Sequence, residues 1–408
     1  MIFAASFTAS ADDYRFMSRA LQLAEKGRYT TRPNPCVGCV LVKEGHVIAE
    51  GWHYRSGDAH AEIHALQQLI KEPSVPAGDI TAYVTLEPCA HQGRTGACAL
   101  ALADSDNGVV RVVYGMEDPN PLVAGRGLEI LRQAGCVVDG PLLLDQAQAT
   151  NKGFITRMQC DRPRVSAKIA ISVDGRTAMK NGESQWITGY AARQDVQRLR
   201  ARSCAVITGV DSIIHDNSRL TVRAEGSTLD NIDDVLCRPP LRVVLDSQLR
   251  LAEDEYAHAA IFDGVDDGAI DRQWRETSVV VFAAEQASEE HITLLLARYP
   301  KGVTVEKVPA VASGVNLERV LSVLAERYEC NDVLLETGAR LLGSFLQGQL
   351  IDELIIYQAP ILMGSDARPL AAWPLNQMSE KQQLTVIDHR MIGNDVRITA
   401  TLNRRGAE

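Results

Sequence analysis

The sequence predicts a two-domain α/β protein. Three observations favour this class: the chain has 408 residues, strand-like and helix-like segments alternate in both halves, and the alternation stops over residues 158–163. At about 150 residues per domain, this length allows two or three domains, each large enough to bury a core. We therefore expect one domain over residues 1–157 and a second over residues 163–408.

The composition excludes several classes of protein. A content of 46% hydrophobic and 23% charged residues is not that of a disordered, collagen-like or coiled-coil chain. The formal charge of −10 disfavours nucleic-acid binding through phosphate neutralisation. No segment approaches the roughly 20 apolar residues of a membrane-spanning helix, and the opening MIFAASFTASADD lacks the basic start of a signal peptide. We expect a soluble, cytoplasmic protein that binds neither nucleic acid nor membranes.

The nine cysteines argue against a secreted disulfide framework, because their number is odd and the chain is long. In a reducing compartment, cysteines serve as buried apolar residues, metal ligands or reactive thiols. The choice between these roles depends on the motifs around them.

The first elements follow from capping and periodicity. Ser10 and Asp13 form a predicted capping box for a helix that ends near Gly27. Residues 37–43 and 46–53 are strand-like and predict a hairpin around a Glu-Gly turn. The remaining elements predicted for this three-layer domain are a helix over 58–69 with Asp58 as its N-cap, strands over 81–88 and 109–115, and a helix over 128–135.

The second half alternates apolar strands with helices, which predicts a mostly parallel sheet covered on both faces. Two acidic, poorly patterned segments, 224–236 and 253–275, are interpreted as surface insertions. The predicted strands are 165–172, 204–209, 241–247, 278–284, 332–336 and 353–362, and the predicted helices are 191–201 and 339–350.

A pattern typical of a catalytic zinc site lies in the first domain. His60, Cys89 and Cys98 offer one imidazole and two thiolates, which leave the fourth zinc position to water. Zinc lowers the pKa of that water towards neutrality. Glu62 is then predicted to be the general acid/base that carries a proton to a departing amine, as in zinc-dependent nucleobase deamination.

Other interpretations of these residues stay open. The thiols could simply be buried beside a surface histidine, or His91 or Cys39 could close the site as a fourth ligand. The predicted helix starts two residues before His60, and Cys89 directly follows the strand-ending Pro88. This placement would put positive helix ends near the metal, and a positive helix end favours the thiolate form of cysteine.

Three segments carry a resemblance to a known family. They are PCAHQGRTGAC (88–98), PNPCVGCV (33–40) and DPNPLVAGRG (118–127). The spacing of nine between the cysteines differs from the P-C-x-x-C of cytidine and tRNA adenosine deaminases. It resembles the bifunctional deaminase/reductase family of riboflavin biosynthesis, although Ala90 replaces a common serine, and Gly96 and Ala97 replace two common prolines. The resemblance implies a cytidine-deaminase-like α/β/α fold for the first domain.

Two loop residues keep two interpretations each. Asn34 could hydrogen-bond the edge of a pyrimidine or could form an Asx-turn. Arg94 could bind a ribose phosphate or could be a solvated loop arginine.

The second domain has no G-x-G-x-x-G or Walker A motif. Its strongest physical signal is DVLLETGARLLGSF (332–345), in which Glu336 ends a strand and Gly338 opens a helix. The free amides of residues 338–340 could hold a pyrophosphate at the carboxyl end of a parallel strand.

KIAISVDGRTA (168–178) and GESQWIT (182–188) resemble the reductase domain of the same family, which is similar in fold to dihydrofolate reductase. The resemblance implies a substrate site and an NADPH site. The implied substrate residues are Lys168, Ser184, Arg200, Leu220, Arg223 and Glu336. The implied NADPH residues are Ala170, Trp186, Ser212, Asp216, Ser247, Gly338, Ala339, Arg340, Leu341, Leu342, Gly343 and Ser344.

The chemistry of these side chains suits such roles. Arg200 and Arg223 could bind a substrate phosphate as planar forks, although the pattern of residues 191–202 would otherwise suggest a solvated helix face. Trp186 could present its face to the cofactor or could be a core aromatic. Lys168 and Asp216 could orient or protonate the opening ribose. The loop after Asp216 departs from the family, because Asn217 and Ser218 stand where Asp and Pro are usual.

The resemblance therefore implies a bifunctional enzyme of riboflavin biosynthesis that binds one zinc ion per chain and NADPH. The first domain would deaminate 2,5-diamino-6-(5-phosphoribosylamino)pyrimidin-4(3H)-one, and the second would reduce the ribosyl chain of 5-amino-6-(5-phosphoribosylamino)uracil. Its partners would be this small-molecule substrate and further copies of the chain, joined through the reductase domain. The alternatives are a nucleoside- or tRNA-type deaminase with an inert appended domain, and a non-catalytic zinc-stabilised module that senses a nucleotide.

Overall fold

The computed structural model describes residues 7–71, 78–90, 96–121, 123–225, 229, 231–265 and 277–402. Contacts divide the chain into two compact units, Met1–Asp161 and Arg162–Glu408. Each unit has its own sheet and its own apolar core. None of the described helices is both long enough and apolar enough to cross a membrane.

The first unit is built on a five-stranded sheet in the order β2-β1-β3-β4-β5. Strand β1 is antiparallel to β2 and β3, whereas β3, β4 and β5 are parallel. The strands are β1 (Gly38–Lys43), β2 (His46–Trp52), β3 (Ile80–Val84), β4 (Val109–Tyr114) and β5 (Val137–Asp139). The helices are α1 (Ala11–Lys26), α2 (Ala61–Ile70), α3 (Cys98–Ala103), α4 (Arg126–Gln133), α5 (Leu144–Thr150) and α6 (Lys152–Cys160), with a short 3-10 helix over Ser105–Asn107.

Side chains of β1 point alternately to the two faces of the sheet, and helices pack on both faces to give three layers. Val40 and Val42 pack with the apolar side chains of α1 on one face of the sheet. Cys39 and Leu41 pack with α2, α3 and α4 on the other face. Because side chains of a strand point to opposite faces in turn, one apolar strand serves two cores. The predicted α/β/α architecture is confirmed.

Helix α1 begins as the sequence predicts. The Asp13 amide donates to Ser10 Oγ (3.1 Å), and the Ser10 amide donates to Asp13 Oδ2 (2.9 Å). The other carboxylate oxygen, Oδ1, accepts hydrogen bonds from Tyr83 Oη and Arg111 Nη1, each at 2.7 Å. The capping box therefore also ties α1 to β3 and β4.

Two predicted boundaries near the zinc motif are wrong. Helix α2 begins at Ala61 with His60 as its N-cap, because the Asp58 carboxylate pairs with Arg55 (3.0 Å) instead of capping the helix. Strand β3 ends at Val84, four residues before Pro88, because Thr85 and Glu87 form their backbone hydrogen bonds with Gly38 and Met116 outside the ladder.

The second unit contains a nine-stranded sheet in the order β11-β10-β9-β8-β14-β6-β15-β18-β17, parallel from β11 to β15. Its main strands are β6 (Arg164–Ser172), β8 (Ala205–Gly209), β9 (Leu241–Leu245), β10 (Val279–Ala284), β11 (Val303–Val308), β14 (Asp332–Glu336), β15 (Glu353–Ala359), β17 (Leu384–Ile392) and β18 (Asp395–Leu402). Two small ladders join β7 (Arg176–Ala178) to β16 (Arg368–Pro369) and β12 (Ala310–Val311) to β13 (Gly314–Val315).

Helices cover both faces of this sheet, and two apolar clusters fill the space between the layers. The prediction of a mostly parallel, doubly covered sheet is confirmed. The helices are α7 (Tyr190–Arg202), α8 (Val210–Asp216), α9 (Ile232–Cys237), α10 (Glu289–Arg298), α11 (Leu317–Glu326) and α12 (Ala339–Gln347), with 3-10 helices over Arg250–Ala252, Asp254–Tyr256, Ala260–Phe262 and Met378–Glu380.

The interpretation of 253–275 as a surface insertion is wrong for its described part, residues 253–265. Ala260, Ile261 and Phe262 are buried, and the Phe262 ring stacks on Tyr299 at 4.3 Å. The interpretation of 224–236 as an insertion is also wrong at Val235, which is fully buried. In both places the buried apolar residues lie on helices of only three or six residues, which are too short to show helical periodicity. Residues 226–228, 230 and 266–276 lie outside the described chain.

We predict that Asp13→Asn lowers the free energy of unfolding at neutral pH by about 2 kcal/mol, because Arg111 and the helix N-terminus lose a buried charged acceptor. Burial alone would raise the pKa of Asp13, but hydrogen bonds from Arg111, Ser10 and Tyr83 lower it below the ordinary 3.8. The contribution is therefore complete above pH 3.8 and is lost as the pH falls further.

Urea denaturation followed by circular dichroism measures this difference between the two chains. Asp12→Asn, an exposed change in the same helical turn, is the matched control and should leave the unfolding free energy unchanged. If the difference in unfolding free energy between the unaltered chain and Asp13→Asn stayed constant down to pH 2, the stabilising role of the ionised Asp13 carboxylate would be contradicted.

Candidate active sites

Three side chains of the zinc motif converge in the first unit. The ligand atoms of His60, Cys89 and Cys98 all lie within 4.8 Å of one another. His60 Nδ1 is 3.3 Å from Cys98 Sγ and 3.6 Å from Cys89 Sγ. Among the described residues, no other histidine, cysteine or acidic side chain joins this group, and Cys39 is not part of it. His91 and Arg94 lie outside the described residues.

Two helix N-termini place these ligands. His60 is the N-cap of α2, and Cys98 is the first residue of α3. The Cys98 amide donates to Cys89 Sγ at 3.4 Å. A hydrogen bond from the Cys98 thiol, with further ones from His60 and the Cys98 amide, lowers the pKa of Cys89. A donor set of one imidazole and two thiols, one of them already favoured as a thiolate, fits zinc.

Glu62 lies in the first turn of α2 and is buried. Burial raises its pKa to about 7, although the nearby His60 opposes the shift. Strand β2 fixes this turn by close approach: a Cβ at Gly51 would lie 2.1 Å from the Ala61 carbonyl oxygen. Only glycine fits there, so β2 and the start of α2 are held in contact.

His53 is a site residue that the sequence analysis missed. Its Nδ1 lies 3.1 Å from the Ala59 carbonyl oxygen, which can only accept, so Nδ1 carries the proton. Its Nε2 therefore accepts from Asn34 Nδ2 at 3.1 Å. Burial lowers the pKa of His53 to about 4, so the ring is neutral. The ring packs edge-on against His60, with centroids 5.3 Å apart. Only its position at the end of the strand before the ligand helix could have indicated it.

The second unit has a cavity of about 1510 Å³ at the carboxyl ends of its parallel strands. Every substrate and cofactor residue implied by the resemblance lines this cavity, except Leu342 and Gly343. Leu342 packs in the core, and Gly343 approaches the Ala372 carbonyl oxygen so closely that a Cβ would lie 2.2 Å from it. These two residues position α12 and do not face the cavity.

Arg200 has a different environment from the one expected. Its Nε and Nη2 donate to both carboxylate oxygens of Glu336 (2.6 and 3.0 Å), and its Nη1 donates to the Thr221 carbonyl oxygen (2.8 Å). Each of its three nitrogen atoms thus donates one hydrogen bond within the chain, while Arg200 also lines the cavity, and its role in binding a phosphate stays a prediction. Arg223 is exposed at the same cavity.

Lys168 completes this charged group. It pairs in register with Glu336 across β6 and β14. Burial lowers the pKa of Lys168, while Glu336 opposes the shift. Burial alone would raise the pKa of Glu336, but Arg200 lowers it below its ordinary value. The cavity lining thus holds a carboxylate beside an amine, and the pKa of each is lowered from its ordinary value.

The loop that departs from the family is hydrogen-bonded to two neighbouring segments. Asn217 adopts a left-handed conformation (φ 46°) at the end of α8, and its Oδ1 accepts from the Ala260 amide at 2.7 Å. Asp216 Oδ1 accepts from Ser184 Oγ at 3.3 Å, so two residues assigned to different ligands meet. Asparagine tolerates the left-handed region and offers the same acceptor as aspartate.

Trp186 is not a core aromatic, since 66% of its surface is exposed. Arg193 lies over its ring at 4.5 Å and donates to the Thr188 carbonyl oxygen at 2.7 Å. The Trp186 ring is thereby held at the cavity wall.

The cavity suits two polar ligands. Its volume exceeds the roughly 300–1,000 Å³ of a typical single-ligand pocket. Thr208 Oγ1 and Gln194 Oε1, on residues that line it, are buried without a hydrogen-bond partner in the described chain. The helix that begins after Gly338 has no side-chain cap, so its first amides remain available to an anion.

Comparisons with known proteins identify both units. The family model described as RibD C-terminal domain matches residues 163–398, and that of the cytidine and deoxycytidylate deaminase zinc-binding region matches residues 10–116. The riboflavin biosynthesis protein RibD of Escherichia coli (strain K12) is 41% identical over 391 residues, which cover 94% of this chain and 98% of that protein. The chain belongs to the riboflavin biosynthesis protein RibD family.

Solved RibD structures agree in fold. Acinetobacter baumannii RibD, form 1, is 40% identical with a TM-score of 0.83, and covers 96% of this chain and 99% of its own. A Thermotoga maritima structure described as a diaminohydroxyphosphoribosylaminopyrimidine deaminase/5-amino-6-(5-phosphoribosylamino)uracil reductase is 30% identical with a TM-score of 0.75, with the same coverage.

As a RibD family member, the chain is a bifunctional enzyme of riboflavin biosynthesis with a zinc-binding deaminase domain and a reductase domain. These domains imply zinc and a nicotinamide cofactor. The alternatives of an inert appended domain and of a non-catalytic module are wrong, because the second unit matches the RibD C-terminal domain over most of its length.

We predict that Arg200→Leu lowers the free energy of unfolding by about 3 kcal/mol, because Glu336 is left as a buried, unpaired charge. Arg223→Leu, at an exposed guanidinium, is the matched control and should change it by less than about 0.5 kcal/mol. Chemical denaturation of the full chain measures both. Equal losses from the two variants would show that Arg200 is not the internal partner of Glu336.

Proposed function

We propose that the first domain deaminates 2,5-diamino-6-(5-phosphoribosylamino)pyrimidin-4(3H)-one at its 2-amino group. The second domain then reduces the ribosyl chain of 5-amino-6-(5-phosphoribosylamino)uracil to the ribityl form with NADPH. The observation that carries the first half is the meeting of His60, Cys89 and Cys98 beside the buried Glu62. The description of the Thermotoga maritima relative supports the choice of substrate.

In the deaminase domain, His60, Cys89 and Cys98 would hold one zinc ion per chain. When bound, zinc lowers the pKa of water and so supplies a nucleophile near neutral pH. Glu62 takes up a proton at its carboxylate and returns it to the departing amine, which leaves as ammonia. The side-chain NH₂ group of Asn34 donates a hydrogen bond to His53. The side-chain carbonyl oxygen of Asn34 then accepts a hydrogen bond from the edge of the pyrimidine.

In the reductase domain, Arg223 and the backbone near Leu220 would bind the substrate phosphate, and Arg200 would act through Glu336. Lys168, with its lowered pKa, would give a proton to the opening ribose, and Glu336 and Ser184 would orient the chain. NADPH supplies a hydride when bound.

The cavity-lining members of the cofactor set would hold NADPH. They are Ala170, Trp186, Ser212, Asp216, Ser247, Gly338, Ala339, Arg340, Leu341 and Ser344. The uncapped amides after Gly338 suit its pyrophosphate.

We predict that the purified protein releases ammonia from the diaminopyrimidine substrate only with zinc present, and oxidises NADPH only when the deaminated product is available. Glu62→Gln should lower ammonia release by about 10²–10⁴-fold, because the proton carrier is lost. Zinc content and NADPH oxidation with supplied product should not change, because the variant leaves the ligands and the reductase cavity untouched.

Ammonia assays, metal analysis and NADPH absorbance measure these three quantities. Removal of zinc by a chelator should abolish ammonia release but not product-dependent NADPH oxidation, and added zinc should restore it. Full deaminase activity in Glu62→Gln, or in the zinc-free protein, would refute the mechanism.

We also propose that two copies associate through the reductase domain. Strand β17 is an edge of the nine-stranded sheet, and its exposed side chains include Val386 (56%) and Met391 (62%). Unpaired apolar edges favour association. Met391→Lys should lower the mass measured by light scattering to that of one chain, whereas Val137→Lys, at an exposed site of the first unit, should not. A monomeric unaltered chain would contradict the proposal.

A further inference from the structure

Glu87 lies two residues before the zinc ligand Cys89 and has no role in the mechanism above. Its side chain is only 4% exposed. The carboxylate accepts three backbone hydrogen bonds from one distant segment: Oε2 from the amides of Asp118 (3.1 Å) and Gly125 (2.9 Å), and Oε1 from the amide of Gly127 (2.9 Å). Within the described residues, a buried carboxylate thus joins the loop that carries Cys89 to the segment that contains Asp118, Gly125 and Gly127.

The amides that bond to Glu87 lie at and before the start of helix α4, where an acceptor is needed. Gly125 is the N-cap of α4 and has no side chain to cap the helix, so the first amides of α4 need an acceptor from elsewhere. Glu87 supplies it, and its charge faces the positive end of the helix. Gly125 adopts a left-handed conformation (φ 78°), which turns the chain towards the carboxylate.

Gly127 of the same segment also lies in close contact with the loop that carries Cys89. A Cβ at Gly127 would lie 1.8 Å from the Pro88 carbonyl oxygen, so only glycine permits this approach. On the other side, the Glu87 amide donates to the Met116 carbonyl oxygen at 2.8 Å, and the Cys89 carbonyl oxygen accepts from Ala99 at 3.1 Å. The backbone is held immediately before and after the position at which Cys89 presents its sulfur.

We propose that Glu87 is a positioning residue of the deaminase domain: its carboxylate anchors the 118–127 segment to the loop that carries Cys89 and thereby fixes the Cys89 thiolate for zinc. The inference rests on the proposed zinc-dependent deamination. Among the described residues, the carboxylate of Glu87 accepts its hydrogen bonds from backbone amides, so it acts on Cys89 through the backbone.

The geometry selects the variants that test this role. Glu87→Gln keeps the length of the side chain but turns one acceptor oxygen into an NH₂ group that opposes a backbone N–H. Glu87→Asp keeps the charge but is one methylene too short to reach all three amides. Glu129→Gln is the matched control, since Glu129 is an exposed carboxylate in the first turn of the same helix and bonds only to Gln133 among the described residues.

The experiment measures zinc affinity of the full-length chain by competition with a chromophoric chelator. Glu87→Gln should raise the Kd for zinc by about 10–100-fold, as supporting residues around metal ligands do. Hydrogen exchange should show faster exchange at the amides of Asp118, Gly125 and Gly127. Glu129→Gln should change neither quantity, and NADPH oxidation with supplied product should stay the same in all three variants.

Unchanged zinc affinity in Glu87→Gln would overturn the proposal. If that variant also lost amide protection along β1 and β3, its domain would be unfolded, and Glu87→Asp would decide: zinc affinity equal to that of the unaltered chain would again overturn the role. Failure of the unaltered chain to bind zinc would instead refute the proposed deaminase, and the exchange data would still report whether Glu87 anchors the segment.

Discussion

Parallel pairing of neighbouring strands is the constraint on which both active sites depend. In the first unit, Val84 at the end of β3 pairs with Tyr114 at the end of the parallel β4. The loop to Cys89 and the 118–127 segment therefore leave the sheet at the same edge, where the Glu87 carboxylate can join them. In the second unit, the parallel pairing of β8, β9, β14 and β6 brings their carboxyl ends to one cavity.

Buried carboxylates serve these sites in different ways, depending on what satisfies their charge. Glu336 is matched by a guanidinium group, and Glu87 by three backbone amides. Both thereby tie together segments that are distant in the sequence. Glu62 is also buried, and burial raises its pKa to about 7. Glu336 and Glu87 thus hold neighbouring segments together, whereas Glu62 has a pKa that suits proton exchange near neutral pH.

Sequence patterns within single elements made several helices and strands, and the zinc site, predictable. The Ser10 capping box, the alternation along β1 and the apolar run of β14 each reflect a single element, so the sequence alone predicts them. The spacing of His60, Cys89 and Cys98 predicts a zinc site because few other arrangements need those residue types together. The resemblance to a family added the reductase site, which spacing could not.

The errors and omissions share a physical cause, since each depends on contacts between distant segments. Asp58 resembles an N-cap, but Arg55 competes for its carboxylate. Arg200 resembles a surface arginine, but its partner lies 136 residues away. The role of His53 depends on Asn34 and on a carbonyl group of the next loop. No periodicity or motif within one segment encodes such pairings.

The arginines in and beside the reductase cavity differ in how their charges are paired. Arg200 is neutralised by Glu336, and Arg219 pairs with Asp263 at 2.8 Å. Among the described residues, Arg223 has no carboxylate at salt-bridge distance, and burial together with the charges of Arg200 and Arg219 lowers its pKa. A phosphate bound at Arg223, as proposed above, would relieve this repulsion, and the net charge of −10 would not oppose it, because the attraction is local.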